Sequence, residues 1–251
     1  RHPPPVTRRQ RQMCIRDSIK IYIFNKIFNI IFFIGNQFSS DIINDVLSLH
    51  YFENEKFIIS QIFTHMFMHG NLAHITFNML ALWMFGSTLV NVWGNNKFIF
   101  FYFSCGVGAA LIQLTAYYLN IQSVTGELLS FGLTSQDVNN ILLSGRYDQN
   151  ILDYISEKKL ASMYYDYNAV MVGASGAIYG VVVAFAFLFP NSKLMLLFPP
   201  IPIKAKFLVP LLIVGDIFFG FTSASIGPIA HFAHLGGCLL YTSDAADESL
   251  C

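Results

Sequence analysis

The chain has 251 residues, of which 54% are hydrophobic, 16% aromatic and only 12% charged, and its formal net charge at pH 7 is +0. Soluble globular domains carry about 25% charged residues, so this composition indicates a protein whose solvent is lipid. A balanced charge gives no sign of a polyanionic partner, and we expect no nucleic acid to bind. The four cysteines show neither disulfide nor zinc spacing, so we infer neither a disulfide framework nor a zinc site. We expect no cofactor.

Both ends of the chain look foreign to the rest of it. Residues 1–18 are basic and proline-rich and do not begin with Met, and residues 238–251 read CLLYTSDAADESLC. Both strings resemble translated sequencing-adapter read-through, and we interpret them as non-native tails. The remaining residues, 19–237, are predicted to form one membrane domain.

Six apolar runs predict six membrane helices, at 19–35, 71–92, 97–119, 170–189, 206–223 and 226–240. A spanning helix needs about 20 residues, so the sixth run is short and predicts a truncated last helix. The fold class expected is therefore an all-α polytopic helical bundle. Between the third and fourth helices lies a long polar segment, 120–168, which we expect to hold short amphipathic helices.

Lysines in the short connections predict the orientation of the bundle. If six helices cross the membrane in alternating directions, the three lysine-containing regions lie on the same side of it. That side is predicted to be cytoplasmic. These lysines are Lys20, Lys26, Lys97, Lys193, Lys204 and Lys206. The acidic segment 36–60 and the segment 120–168 then lie on the outer side.

Polar residues inside membrane spans are rare and usually functional, and three clusters of them begin the second, fourth and sixth helices. His74 and Asn78 are four residues apart and share one face of the second helix. In the fourth helix, Ser175 and Tyr179 have the same spacing. His234 begins the sixth helix.

Small residues accompany these clusters. Gly176 and Gly180 form a small-residue face on the fourth helix, and Gly237 lies three residues after His234. Such residues allow helices to approach closely, so a packing seam with an incidental serine is the plainer interpretation. The helices of all three clusters run from outside to inside, however, and place the polar residues at a similar depth. A serine, a base and amide or imidazole donors at one depth indicate acyl transfer.

Two other polar groups leave alternatives open. His65 and His69 are four residues apart, and they are either interfacial histidines bonded to loop carbonyls or a chelating pair without carboxylate or cysteine partners. Asp216 is the one clear carboxylate within a predicted span. It would suit a small-solute transporter or metal carrier.

The combined motifs resemble those of the rhomboid family of intramembrane serine proteases over about residues 40–237. They are the His-xxx-Asn of His74 and Asn78, the Gly-x-Ser-Gly that starts at Gly173, and the Ala-His-x-x-Gly that contains His234. The resemblance implies a six-helix bundle with a hydrated cavity open to the outer side. It also implies a bacterial-type protein of the cytoplasmic membrane that cleaves transmembrane proteins near their outer boundary.

The resemblance assigns roles to individual residues. Ser175 would be the nucleophile and His234 the general base of a dyad without an aspartate. The oxyanion hole would be formed by His74, Asn78 and the backbone N–H of Ser175. Tyr179 would stack on the His234 ring. His231 corresponds to a variable position and is given no catalytic role.

One departure from the family pattern concerns the first outer loop. A Trp-Arg pair often precedes the position of His69 in the family, whereas this chain has Ser60 and Gln61 there. The usual anchor of that loop is therefore not expected.

The alternative function is a catalytically impaired rhomboid-like protein that binds membrane clients without cleaving them. The sequence does not indicate an oligomeric state.

Overall fold

The computed structural model describes residues 27, 29–31, 33–35, 40–195, 201–222 and 230–238. The fold is mostly helical, as predicted, with two short antiparallel strand pairs. The helices are α1 (Ser40–Leu47), α2 (Gln61–Thr64), α3 (Leu72–Trp93), α4 (Asn95–Ser130), α5 (Ser135–Ser144), α6 (Glu157–Tyr167), α7 (Ser175–Leu188), α8 (Ala205–Phe221) and α9 (231–238). The strands are β1 (Leu49–His50), β2 (Val170–Met171), β3 (Lys193–Met195) and β4 (Pro202–Lys204). Short 3₁₀ helices lie at His65–Phe67 and Gln149–Asp153, and α3 contains a π-helical turn at Leu82–Gly86.

Among the described residues, α3 and α4 are long and apolar enough to cross a membrane, and α7 is a shorter apolar helix. The helices predicted at 71–92, 170–189 and 206–223 correspond to α3, α7 and α8. Helix α9 lies within the run predicted at 226–240. Residues 19–26 of the first predicted helix lie outside the described residues. So do the tail 1–18 and nearly all of the tail 238–251, where the predicted truncation of the last helix falls.

The third helix is much longer than predicted. It continues to Ser130 and has 36 residues, so residues 120–130 of the predicted loop are helical. At 1.5 Å per residue its length is about 54 Å, whereas the hydrocarbon core of a bilayer is about 30 Å thick. The C-terminal part of α4 therefore projects beyond the span.

The projecting end of α4 forms a second hydrophobic core with α5 and α6. These two helices occupy most of the predicted segment 120–168, which was expected to hold short amphipathic helices. Residues of this second core include Leu49, Tyr51, Ile121, Val124, Leu128, Val138, Ile141, Leu160 and Met163. The first core lies between α3, α4, α7 and α8 and includes Leu82, Leu89, Phe98, Phe101, Tyr102, Cys105, Val181 and Ala184.

The first loop, predicted to lie on the outer side, has an anchor of its own at Gln61, where the family's usual pair is missing. The Gln61 side chain is fully buried, and its amide donates to the carbonyls of Asp45 and Lys56, each at 2.9 Å. Its Oε1 accepts from the backbone N–H of His50 at 3.2 Å. Strand β1 then pairs with β2, which lies just before Ser175. The loop is therefore tied to the segment that leads into α7.

Asp166, in α6, makes the stability of the second core depend on pH. Burial raises the pKa of its carboxyl from 3.8 to about 6, although Asn120 donates to Oδ2 at 2.7 Å. A raised pKa means that the folded state binds more protons than the unfolded state, so stability falls as pH rises from about 4 through about 6. At about 1.4 kcal/mol per pKa unit, the cost at neutral pH is at most about 3 kcal/mol.

We therefore expect Asp166→Asn to raise the unfolding temperature at pH 7.5 and to give a smaller gain at pH 4.5. Thermal unfolding in detergent micelles, followed by circular dichroism, measures both values. Asp153→Asn is the matched control, since Asp153 is an exposed carboxylate in the same segment. An equal gain for Asp166→Asn at both pH values would contradict this explanation.

Candidate active site

Ser175 is the first residue of α7, and the backbone before it is fixed by Gly173. Gly173 has a φ of +118°, a conformation that favours glycine, and its N–H donates to the carbonyl of His65 at 2.9 Å. A Cβ at this position would lie 2.7 Å from ring atoms of His74. Glycine at position 173 therefore lets the chain turn sharply against α3 and begin α7 at Ser175.

His234 lies against Ser175. Its Nε2 is 3.1 Å from the Ser175 Oγ, which is a hydrogen-bond distance. The imidazole stacks on the Tyr179 ring with a centroid distance of 4.0 Å and an interplanar angle of 8°. Tyr179 is one helical turn after Ser175, so α7 contributes both the hydroxyl and the surface on which the imidazole rests.

Glycines bring α9 close to α7. A Cβ at Gly237 would lie 1.9 Å from the carbonyl oxygen of Gly176. A Cβ at Gly176 would lie 2.4 Å from the Ala109 Cβ in α4. The backbones of α7 and α9 are therefore in direct contact within one turn of Ser175 and His234, and α4 packs against Gly176 as well. Only glycine leaves room at these two positions.

His74 and Asn78 lie on the side of α3 that faces Gly173. The Asn71 side chain caps α3 by accepting from the backbone N–H of His74 at 2.8 Å. Asn78 is buried, and its Nδ2 has no hydrogen-bond partner among the described residues. Ala174 is the N-cap residue of α7, and its side chain makes no capping hydrogen bond. The N–H groups in the first turn of α7 therefore receive no side-chain partner from the N-cap. Unpaired donors of this kind are suited to an oxyanion.

Asp216 lies beside the Ser175–His234 pair, which the sequence did not indicate. The resemblance implies a dyad without an aspartate, and the sequence alone suggests Asp216 only for a small-solute transporter or metal carrier. In the structure its Oδ1 lies 3.2 Å from His234 Nδ1 and 2.6 Å from His231 Nδ1. His231, which was given no role, therefore also contacts the site. The only sequence signal for this contact is that Asp216 is an isolated carboxylate within an apolar helix.

Metal ligation was one interpretation of the histidines. His65 Nδ1 lies 2.9 Å from the carbonyl of Gln61, and His69 Nδ1 lies 3.3 Å from that of Phe67, which agrees with histidines bonded to loop carbonyls. Within the described part of the chain, the one candidate ligand group comprises Asp216, His231 and His234, whose ligand atoms lie within 4.8 Å of one another. Tetrahedral zinc ligands at 2.0–2.1 Å are roughly 3.3 Å apart. The 2.6 Å contact between His231 and Asp216 is therefore a hydrogen bond, shorter than the separation of two ligands on one tetrahedral zinc ion.

A family model described as the Rhomboid domain matches residues 56–136 and 143–241. The chain is 24% identical over 176 residues to rhomboid protein 1, mitochondrial, of Saccharomyces cerevisiae, covering 69% of this chain and 37% of that protein. It is 25% identical over 193 residues to the presenilin-associated rhomboid-like protein, mitochondrial, of Mus musculus, and 26% identical over 193 residues to that of Homo sapiens. These two alignments cover 73% of this chain and 37% and 36% of the relatives. The chain thus spans little more than a third of the curated relatives it matches.

Proposed function

Because the chain belongs to the rhomboid family of integral membrane proteins, we propose that it is an intramembrane serine endopeptidase with Ser175 as nucleophile and His234 as general base. The observation that carries the proposal is the 3.1 Å contact between Ser175 Oγ and His234 Nε2. A serine hydroxyl is a weak nucleophile until an adjacent base takes its proton. The stacking on Tyr179 supports the same assignment, since it holds the imidazole in place.

In the first step, Ser175 Oγ attacks the carbonyl carbon of the scissile peptide bond. The hydroxyl proton passes to His234 Nε2, the Oγ–C bond forms, and the carbonyl π electrons move to the oxygen. His234 then gives the proton to the leaving nitrogen as the C–N bond breaks, which releases one fragment and leaves an acyl-serine. Water adds to that ester in the second step, with His234 again acting first as base and then as acid.

The developing oxyanion needs donors, and three groups are proposed to supply them. These are the Asn78 Nδ2, the His74 ring and the backbone N–H of Ser175. The Asn78 Nδ2 is a buried donor without a hydrogen-bond partner in the described structure, so it can bind the oxyanion without losing another bond. Loss of one such donor typically costs about 10²–10³-fold in rate.

The substrates proposed are transmembrane proteins in the bilayer, cleaved near their outer membrane boundary. This follows from the predicted orientation, which places the start of α7 toward the outer side. The predicted bacterial cytoplasmic membrane stays a prediction, because the relatives named above are mitochondrial proteins. A rhomboid-like protein that binds clients without cleaving them would not need the Ser175–His234 contact.

A fluorophosphonate probe tests the proposal directly. We expect the full chain in detergent micelles to be labelled at Ser175, because the activated Oγ displaces fluoride from phosphorus. Labelling is measured by in-gel fluorescence, and the site by mass spectrometry of the labelled peptide.

Ser175→Ala should abolish the label. Ser130→Ala is the matched control, since Ser130 is exposed at the end of α4 and donates only to the carbonyl of Glu127. It should be labelled like the wild type. A folded wild-type chain that takes no label, or a Ser175→Ala variant that keeps it, would refute the nucleophile assignment.

A further inference from the structure

A single carboxylate oxygen contacts the imidazoles of two histidines beside the nucleophile. Asp216 lies on α8 and is only 5% exposed, and both histidines lie on α9 and are 8% exposed. Its Oδ1 is 3.2 Å from His234 Nδ1 and 2.6 Å from His231 Nδ1. An ionised carboxylate only accepts hydrogen bonds, so each ring nitrogen in contact with it must carry the proton.

This contact determines which nitrogen of His234 is free to act as a base. With the proton on Nδ1 and donated to Asp216, the lone pair of the neutral ring is on Nε2. That nitrogen is the one 3.1 Å from Ser175 Oγ. The opposite tautomer would place a proton on Nε2 and leave the hydroxyl without an acceptor.

The geometry points to Asp216 as a positioning residue for His234. We infer that it fixes the Nδ1–H tautomer and the ring orientation, and that its charge stabilises the imidazolium formed during attack. The catalytic part of this inference rests on the proposed function. Asp216 stays ionised throughout, and the proton moves only between Ser175, His234 and the leaving group.

His231 holds the carboxylate from a second direction. Its Nδ1–H donates to the same oxygen, and its ring stacks on Phe219 with a centroid distance of 5.8 Å and an interplanar angle of 29°. Phe219 and Asp216 both belong to α8, so His231 links α9 to α8. Both imidazoles therefore donate to the same carboxylate oxygen, Oδ1, and His231 helps to keep that oxygen beside His234.

The first test separates the chemical step from probe binding. We expect Asp216→Asn to lower the maximal rate of fluorophosphonate inactivation by roughly 10²–10⁴-fold, while the probe concentration for half-maximal rate stays near the wild-type value. Asp216→Glu retains the charge and should recover part of the rate. Asp153→Asn, which removes an exposed carboxylate, should react like the wild type. An Asp216→Asn variant with the wild-type maximal rate would overturn the catalytic role.

The second test does not depend on activity. ¹⁵N NMR spectra of protein labelled at histidine report which ring nitrogen carries the proton. The His234 signals are assigned by their loss in His234→Ala. In the wild type they should show a proton on Nδ1 and none on Nε2. Asp216→Asn should convert them to a mixture of tautomers. A wild-type His234 protonated on Nε2 would overturn the inference, even if the Asp216 variants did not fold. If the wild type takes no probe but shows the expected tautomer, the proposed protease function fails while the positioning by Asp216 stands.

Discussion

The His234→Ala variant is expected to lose nearly all reactivity of Ser175. Without Nε2 at 3.1 Å, no group takes the hydroxyl proton as the Oγ attacks. Removal of the base from a serine nucleophile lowers the rate by roughly 10⁴-fold or more. The measurement is the second-order rate constant for fluorophosphonate inactivation of the full chain in detergent.

Two controls accompany this variant. His234→Ala removes the ring that stacks on Tyr179, so its helicity and unfolding temperature must be compared with those of the wild type. His50→Gln removes another buried imidazole, which lies in strand β1 and makes no hydrogen bond to Ser175 or His234, and should react near the wild-type rate. A folded His234→Ala variant that reacts as fast as the wild type would rule out His234 as the base.

Gly237→Ala is expected to disable the site through the backbone. The new Cβ would lie 1.9 Å from the carbonyl oxygen of Gly176 and 2.8 Å from its carbonyl carbon. Neither atom can rotate away, so α9 must move away from α7 and carry His234 with it. Overpacking of this kind costs about 1–3 kcal/mol, and a displacement of about 1 Å at the base lowers the rate by roughly 10²-fold.

Gly126→Ala is the matched control for Gly237→Ala. Gly126 lies inside α4, and a Cβ there would meet nothing within 4 Å. We expect this variant to react normally and to be more stable by about 0.5–1 kcal/mol, because alanine is favoured over glycine within a helix. Inactivation rate and unfolding temperature are measured for both variants. Equal behaviour of the two would contradict the close packing of α7 and α9.

The apolar runs and the three polar clusters could be identified in the sequence because each depends on the spacing of nearby residues. A serine at the start of an apolar helix, and a histidine at the start of another, stand out by their chemistry alone. The end of α4 was predicted wrongly, since the polar residues after 119 interrupt the apolar run. Ile121, Val124 and Leu128 continue the helical spacing and pack against α6, so an amphipathic helix through Ser130 could have been predicted.

The contact between Asp216 and His234 could not be predicted in this way. The two residues lie on different helices, and their approach depends on how α8 and α9 cross, which no sequence spacing fixes. The anchor at Gln61 has the same origin, because its partners are backbone groups of Asp45, Lys56 and His50. Backbone partners have no sequence signature, so a missing family motif did not mean a missing anchor.

The most direct measurement of the central claim is cleavage of a single-span substrate in liposomes that contain the full chain. Fragment masses give the position of the cut. The wild type should produce two fragments with the cut near the outer membrane boundary, and Ser175→Ala should leave the substrate intact. Equal cleavage by the wild type and a folded Ser175→Ala variant would contradict the assignment of Ser175 as the nucleophile of an intramembrane protease.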